Sequence, residues 1–207
     1  MGVYALNELL GQPLPVKELL PFAMQGEFLA CGSAHADNVA PALLGGFVLV
    51  KSYEPLDIIK LPTPDDLYAT IIHPQIEVKT KDARSILRQQ IELKDAIVQW
   101  GNVGGLVAGL YSNDYDLIGR SLKDVIVEPI RSILIPGFYQ AKEAAINAGA
   151  LGSSISGSGP SIFALAKGKE TAIKAGKAMK AVYDAINIES EVYTSKVSPE
   201  GPKILKD

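Results

Sequence analysis

The stretch GALGSSISGSGP, residues 149–160, constrains the fold more than any other part of this sequence. It places four glycines and four serines between a predicted helix (138–148) and the apolar segment 161–166, which predicts a buried strand. Glycine tolerates positive φ, and successive exposed amides can form an anion-binding nest. A flexible turn, or a tight crossover beside a neighbouring strand, is the alternative. The pattern matches neither a Walker-type P-loop nor a Rossmann fingerprint, which excludes those two nucleotide sites.

The composition is that of an ordinary globular chain. The 207 residues, 47% hydrophobic and 21% charged, suit one large domain or two small ones and exclude a disordered or fibrous protein. A formal net charge of −3 gives no general field for nucleic acid or anionic lipid. One cysteine, Cys31, and two histidines exclude a disulfide framework and a zinc site rich in either residue. The longest apolar run, 39–50, is too short to span a bilayer, and no signal peptide is recognisable, so we expect a cytoplasmic protein.

Hydrophobic spacing predicts an α+β chain. Helices are predicted over 3–10, 15–31, 37–44, 80–90, 92–111, 114–121, 128–133, 138–148 and 169–186, and strands over 47–52, 57–61, 67–72, 161–166 and 191–197. Pro21 should kink or restart the second helix. Turn residues at 62–66 predict a boundary there. The first helix has no capping residue before it, which leaves two explanations: terminal fraying, or continuation from an upstream segment.

Four segments resemble homoserine kinases of the GHMP superfamily. They are GSAHADNVAPALLGGF (32–47), VKTKDARSIL (78–87), VEPIRSILIPGF (127–138) and ISGSGPSIFAL (155–165), the last of which resembles the third GHMP signature motif. Their order and spacing agree over essentially the whole chain. The N-terminal substrate motif of these kinases and their P-x-x-x-G-L-G-S-S-A-type phosphate loop are absent. The chain therefore resembles the C-terminal two-thirds of such an enzyme.

The resemblance implies a fold of two α+β parts. Residues 1–64 would be the remainder of a nucleotide-binding domain like domain 2 of ribosomal protein S5, and residues 65–207 a ferredoxin-like domain. It also implies an ATP- and Mg²⁺-dependent kinase that phosphorylates the L-homoserine hydroxyl on the way to threonine. We expect these 207 residues alone to be inactive. A homodimer is left open.

Homoserine is a zwitterion with a free hydroxyl, so its pocket needs an acid, an arginine and a polar group. Arginine suits the carboxylate because its planar fork binds it in two-pronged fashion. By the resemblance, Asp37 and Asn38 would bind the amino acid and its reactive hydroxyl, with Asn38 as the catalytic residue that orients the hydroxyl. Arg84 and Arg131 would hold the carboxylate, and Thr80 would line the pocket.

The resemblance also assigns a loop and a metal ligand. Gly157 would bring backbone close to the substrate, and the loop Ser156, Gly157, Ser158 and Gly159 would close the site around ATP. Glu27 matches the superfamily's Mg²⁺ carboxylate. One carboxylate is a credible magnesium ligand when ATP phosphates and waters complete the octahedron.

Each assignment has a simpler alternative. Asp37 and Asn38 could cap the helix that begins there, the two arginines could be solvated helix residues, and Glu27 could be a surface glutamate. His35 is expected to be structural. Two other functions also stay open: a GHMP kinase for a different small alcohol, or a non-catalytic domain that binds an amino acid.

Overall fold

The computed structural model describes residues 2–32, 34–79, 83 and 85–205. It divides into two compact units, Met1–Thr63 with Ser198–Asp207, and Pro64–Val197. Each unit has a hydrophobic cluster of its own.

The first unit packs helices on a two-stranded hairpin. Its elements are α1 (Gly2–Leu9), a 3₁₀ turn (Val16–Leu19), α2 (Leu20–Cys31), α3 (Ala36–Leu44), β1 (Phe47–Tyr53) and β2 (Leu56–Leu61). β1 and β2 are antiparallel. Pro21 lies in the first turn of α2, where its missing N–H removes no helical hydrogen bond, so it restarts the helix after the 3₁₀ turn. The core comprises Leu19, Leu20, Ala36, Ala40, Leu43 and Ile58.

The last residues of the chain pack on this first unit. Lys60 Nζ donates to the carbonyl oxygens of Leu44 and Pro199, both at 2.7 Å. A side chain at Gly201 would place Cβ within 2.0 Å of the Leu43 carbonyl oxygen, so only glycine fits this approach. Lys60 on β2 therefore links the final segment to the end of α3 through these two hydrogen bonds.

The second unit is a four-stranded antiparallel sheet with helices. Its elements are β3 (Leu67–Pro74), α4 (Leu93–Ser112), α5 (Tyr115–Ser121), α6 (Glu128–Arg131), a 3₁₀ turn (Ser132–Leu134), α7 (Phe138–Asn147), β4 (Gly152–Ile155), β5 (Ile162–Lys167), α8 (Lys169–Ala185) and β6 (Ser190–Lys196). The strand order is β4-β5-β3-β6. The first and third strands of this unit thus lie side by side at the centre of the sheet, which is the ferredoxin-like arrangement. The predicted α+β class and ferredoxin-like part are confirmed.

α7 and α8 pack against the sheet and against each other. The core between them comprises Ile72, Ile135, Phe138, Ala141, Ala145, Ala150, Ile162, Ala164, Ala175, Met179 and Tyr183. The strand 152–155 was not predicted, because its composition is that of a loop. It forms by pairing with β5, with Ser153 opposite Ala164.

The helix predicted over 80–90 falls partly on residues 80–82 and 84, which lie outside the described residues. Residues 86–90 are turn and irregular chain, so the prediction is wrong there. Glu92, just before α4, is extended with ψ of 139°, and the chain therefore leaves helical geometry before α4 begins.

Tyr183 provides a pH test of this core. Its ring is fully buried, and its hydroxyl has no hydrogen-bond partner among the described residues. Burial raises the pKa of Tyr183 to about 12. Because the unfolded chain loses this proton near pH 10 and the folded chain keeps it, stability falls as pH rises from 10 to 12. We expect wild type to lose up to about 3 kcal/mol of unfolding free energy over that range relative to Tyr183→Phe.

Urea unfolding of wild type and Tyr183→Phe between pH 9 and pH 12 measures this difference. Tyr111→Phe, which removes an exposed hydroxyl from α4, is the control and should follow the wild type. If the gap between wild type and Tyr183→Phe stays constant across the range, the hydroxyl is not buried as described.

Candidate active site

Arg131 is the central side chain of the candidate site in the second unit. It ends α6 and is half-buried. Its Nε donates to the Ala83 carbonyl oxygen at 3.1 Å and its Nη1 to the Gly157 carbonyl oxygen at 3.0 Å. Among the residues that the structure describes, it forms no ion pair. Two of its five N–H groups donate to backbone carbonyls, and the other three have no partner among the described residues, so they can bind a planar anion.

The position of α6, a helix of one turn, is fixed by the carboxylate of Asp124. Asp124 Oδ1 accepts the amides of Ile126 and Val127 at 2.9 and 2.8 Å, and its Oδ2 accepts the amide of Glu128 at 3.2 Å. These amides at the start of a short helix would otherwise need water. The cap fixes the turn that carries Arg131.

The glycine-serine stretch forms an ordered turn between β4 and β5. The Ser156 amide donates to the Ser161 carbonyl at 2.8 Å, and the Gly159 amide to the Ser156 carbonyl at 3.0 Å. Gly157 and Gly159 have φ of +60° and +82°, which side chains rarely adopt. Gly157 is exposed, with open space where a Cβ would stand. The stretch is therefore a tight turn whose tip leaves room for a ligand against its backbone.

Two of the predicted substrate residues, Thr80 and Arg84, lie outside the described residues. Ala83, between them in the sequence, is described and fully buried, and its carbonyl holds Arg131. The structure thus brings Arg131, Gly157 and the backbone at position 83 together.

In the first unit, Asp37 and Asn38 are exposed in the first turn of α3. The Asn38 amide donates to Asp37 Oδ1 at 3.1 Å. The residue that precedes the helix is His35, and its side chain makes no capping hydrogen bond. Neither Asp37 nor Asn38 occupies the N-cap position, although the Asp37 carboxylate lies where the helix dipole favours an anion.

Glu27 and Asn38 line one cavity of about 420 Å³ in the first unit. Glu27 is half-buried on α2. Within the described ranges no cluster of three or more acidic, histidine or cysteine side chains could hold a metal alone. One carboxylate beside an amide nevertheless fits Mg²⁺, which takes most of its ligands from water and substrate phosphates. The residues present therefore fit a magnesium ion that arrives with a nucleotide.

A buried ion pair in the second unit was not predicted from the sequence. The Glu128 carboxylate accepts from Lys142 Nζ at 2.5 Å, and both side chains line a cavity of about 870 Å³. Glu128 stands in the segment that resembles homoserine kinases, yet a glutamate side chain is normally solvated. Nothing in the local sequence marks it as buried.

Residues 106–185 match the family described as GHMP kinases C terminal. A homoserine kinase from Chlorobium phaeobacteroides is 55% identical over 206 residues, which cover 99% of this chain and 64% of that protein. The crystal structure of homoserine kinase from Cytophaga hutchinsonii is 69% identical with a TM-score of 0.95, covering 99% of this chain and 65% of the other.

A mevalonate kinase from L. major shares the fold, with a TM-score of 0.72 at 19% identity over 93% of this chain and 62% of that one. The chain matches the GHMP kinase C-terminal family over residues 106–185 and shares its fold with these structures. It is similar to homoserine kinases over nearly its whole length and spans about 64% of the length of the curated relatives it matches. In the part of the chain described, no helix has the length and apolarity needed to cross a membrane.

Proposed function

We propose that this chain is the C-terminal two-thirds of a homoserine kinase, the enzyme that transfers the γ-phosphoryl group of ATP to the L-homoserine hydroxyl in threonine biosynthesis. The observation that carries the proposal is Arg131, a half-buried guanidinium without an ionic partner among the described residues and held at the Gly157 carbonyl. It stands in a chain 55–69% identical to homoserine kinases over 99% of its length. A free α-carboxylate is the group that such a fork binds best.

The second unit supplies the grip on the amino acid. Arg131 binds the α-carboxylate with the N–H groups that do not donate to backbone. By the same proposal, Arg84 binds this carboxylate as well, and Thr80 lines the pocket. The amides of Gly157 and Ser158 have no partner within the described ranges, so they can donate to an anion at the tip of the turn. Ser156 and Gly159 hold that tip in shape through their own backbone hydrogen bonds.

For three residues of the first unit, the similarity to homoserine kinases supports further roles. Asn38 orients the hydroxyl as the catalytic residue, the Asp37 carboxylate faces the ammonium, and Glu27 binds Mg²⁺. When bound, Mg²⁺ neutralises charge on the ATP phosphates. Because phosphoryl transfer has a loose transition state, positioning by such side chains contributes more than strong base catalysis.

We assign residues 1–64 to the remainder of the nucleotide-binding domain, S5-like in fold, and 65–207 to the C-terminal domain, although the compact first unit also includes Ser198–Asp207. The DNA upstream of residue 1 tests this assignment first. A reading frame that continues into a P-x-x-x-G-L-G-S-S-type segment supports a kinase, and the product of that frame is called the complete enzyme below. A start codon with its own ribosome site at Met1 favours a non-catalytic amino-acid-binding domain instead.

An assay of substrates then tests the reaction. With ATP and Mg²⁺, the complete enzyme is expected to convert L-homoserine to O-phospho-L-homoserine, detected as a new phosphomonoester signal by ³¹P NMR. Mevalonate and phosphomevalonate should give no product, and the 207 residues alone should give none with any substrate. Preference for another alcohol by the complete enzyme would assign the chain to a different GHMP kinase. Normal turnover by the 207 residues alone would refute the fragment assignment.

A further inference from the structure

Glu128 is a buried carboxylate to which the proposed reaction assigns no part. The residue is 5% exposed. Its Oε1 accepts from Lys142 Nζ and its Oε2 from Ser154 Oγ, both at 2.5 Å. A carboxylate withdrawn from water is tolerated only when it is paired and hydrogen-bonded in this way. Lys142, on α7, is itself only 18% exposed at its side chain.

The three residues of this network belong to three elements. Glu128 is the first residue of α6, Lys142 lies on α7, and Ser154 lies on β4. The carboxylate therefore ties α6 to the helix that packs on the sheet and to the edge strand of the sheet. Asp124 caps the start of α6 from a position four residues earlier in the chain. Glu128 instead connects α6 to Lys142 on α7 and to Ser154 on β4.

Two elements of the network, α6 and β4, lead to the candidate site. α6 is a single turn, and it begins with Glu128 and ends with Arg131. β4 ends at Ile155, one residue after Ser154, and the next residues form the turn whose Gly157 carbonyl accepts from Arg131. Glu128 thus joins the two segments whose far ends meet at the hydrogen bond between Arg131 and Gly157.

We propose that Glu128 is a positioning residue. Through its contacts with Lys142 and Ser154, it holds the Arg131 guanidinium in a fixed position relative to the 156–159 turn. This inference rests on the proposed function for its kinetic consequence, although the contact itself does not. A short helix of one turn has little stability of its own, so its orientation depends on such tertiary ties. Loss of the carboxylate charge would leave the Lys142 ammonium half-buried without its anion, and α6 would shift away from β4.

Glu128→Gln in the complete enzyme is the main test, since it keeps the size of the side chain and removes its charge. We expect the KM for L-homoserine to rise about tenfold while the KM for ATP changes by less than about twofold. Amide hydrogen exchange at Ser156 and Gly159, which are protected by the hydrogen bonds of the turn, should accelerate about tenfold. A role in stability alone would lower the amount of folded enzyme, and therefore kcat, without this split between the two KM values.

Three further variants accompany Glu128→Gln. Lys142→Arg keeps an ion pair with Glu128 and should retain the wild-type KM for L-homoserine. Asp184→Asn breaks the exposed pair between Lys180 and Asp184 at 2.9 Å on α8, and it should change neither KM nor the exchange at the turn. If Glu128→Gln does not fold, Ser154→Ala is the alternative, because it removes only the hydrogen bond from Ser154 to Glu128. It is expected to raise the KM for L-homoserine by a smaller factor and to leave the KM for ATP unchanged.

The outcomes separate this inference from the proposed function. If the wild-type complete enzyme does not phosphorylate L-homoserine, the proposed function fails, and exchange at Ser156 and Gly159 alone decides the role of Glu128. Faster exchange in Glu128→Gln then supports the positioning role, and unchanged exchange overturns it. If the wild type is active, equal changes in both KM values, or a change in kcat alone, overturn it.

Discussion

Replacing Arg131 with alanine in the complete enzyme is expected to raise the KM for L-homoserine by about 100-fold, with a change of less than about twofold in the KM for ATP. A hydrogen bond to a charged group contributes about 1.5–3 kcal/mol, and a two-pronged contact loses that amount or more when it is removed. A loss of about 2.7 kcal/mol corresponds to the 100-fold rise. Steady-state kinetics with each substrate varied in turn measures both constants.

Arg120→Ala is the matched control for this prediction. Arg120 lies on α5, is exposed, and forms no ion pair with any residue in the described ranges. Its removal should leave both KM values at the wild-type level. Arg131→Lys keeps the charge but loses the planar fork, so its KM for L-homoserine should fall between those of wild type and Arg131→Ala. Equal rises in both KM values for Arg131→Ala would show that Arg131 does not bind the amino acid specifically.

The sequence predicted Arg131 and Gly157 as site residues but could not predict the bond between them. The two residues are 26 positions apart, and the acceptor is a backbone carbonyl. The other acceptor, the carbonyl of Ala83, is 48 positions away. Every residue carries a carbonyl group, so the identities of Ala83 and Gly157 do not reveal that their carbonyls accept from Arg131. Only the fold brings these acceptors to the guanidinium.

Glu128 shows the same limit for a side chain. Its partners, Lys142 and Ser154, lie 14 and 26 residues downstream. In the segment VEPIRS, a glutamate beside a proline is typical of a solvated helix start, which is where α6 indeed begins. Its burial depends on α7 and β4 packing against that start. No local pattern encodes this packing.

The elements themselves were largely predictable because their hydrophobic periods are local. The helix spacing of 169–186 corresponds to α8, and the alternation of 191–197 corresponds to β6. β4 is the exception: glycine and serine have low strand propensity, and the strand exists because β5 pairs with it. The packing of the final residues on the first unit could not be predicted from local sequence patterns either, because Lys60 and Pro199 are 139 positions apart.

Phe138→Ala is expected to destabilise the isolated chain by about 3–5 kcal/mol, the usual cost of deleting a large aromatic side chain from a packed core. Phe138 belongs to the segment VEPIRSILIPGF that resembles homoserine kinases, yet its side chain is 2% exposed and lies in the core of the second unit. Its part in that segment is therefore to hold α7 on the sheet. Urea unfolding followed by far-UV circular dichroism measures the change in free energy.

The neighbouring residue, Tyr139, is the matched control, because the two ring centroids are only 5.1 Å apart. Tyr139 is 54% exposed, and Tyr139→Ala should cost less than about 1 kcal/mol despite removing a ring of similar size. Burial is the main difference between the two residues, which lie on α7 in consecutive positions; the Tyr139 hydroxyl also accepts a hydrogen bond from Ser132 Oγ at 3.2 Å. Equal losses for the two variants would mean that α7 is rotated about its axis relative to the sheet. Lys142, on the same helix, would then face away from Glu128, so the two variants also test the helix orientation on which the positioning of Arg131 depends.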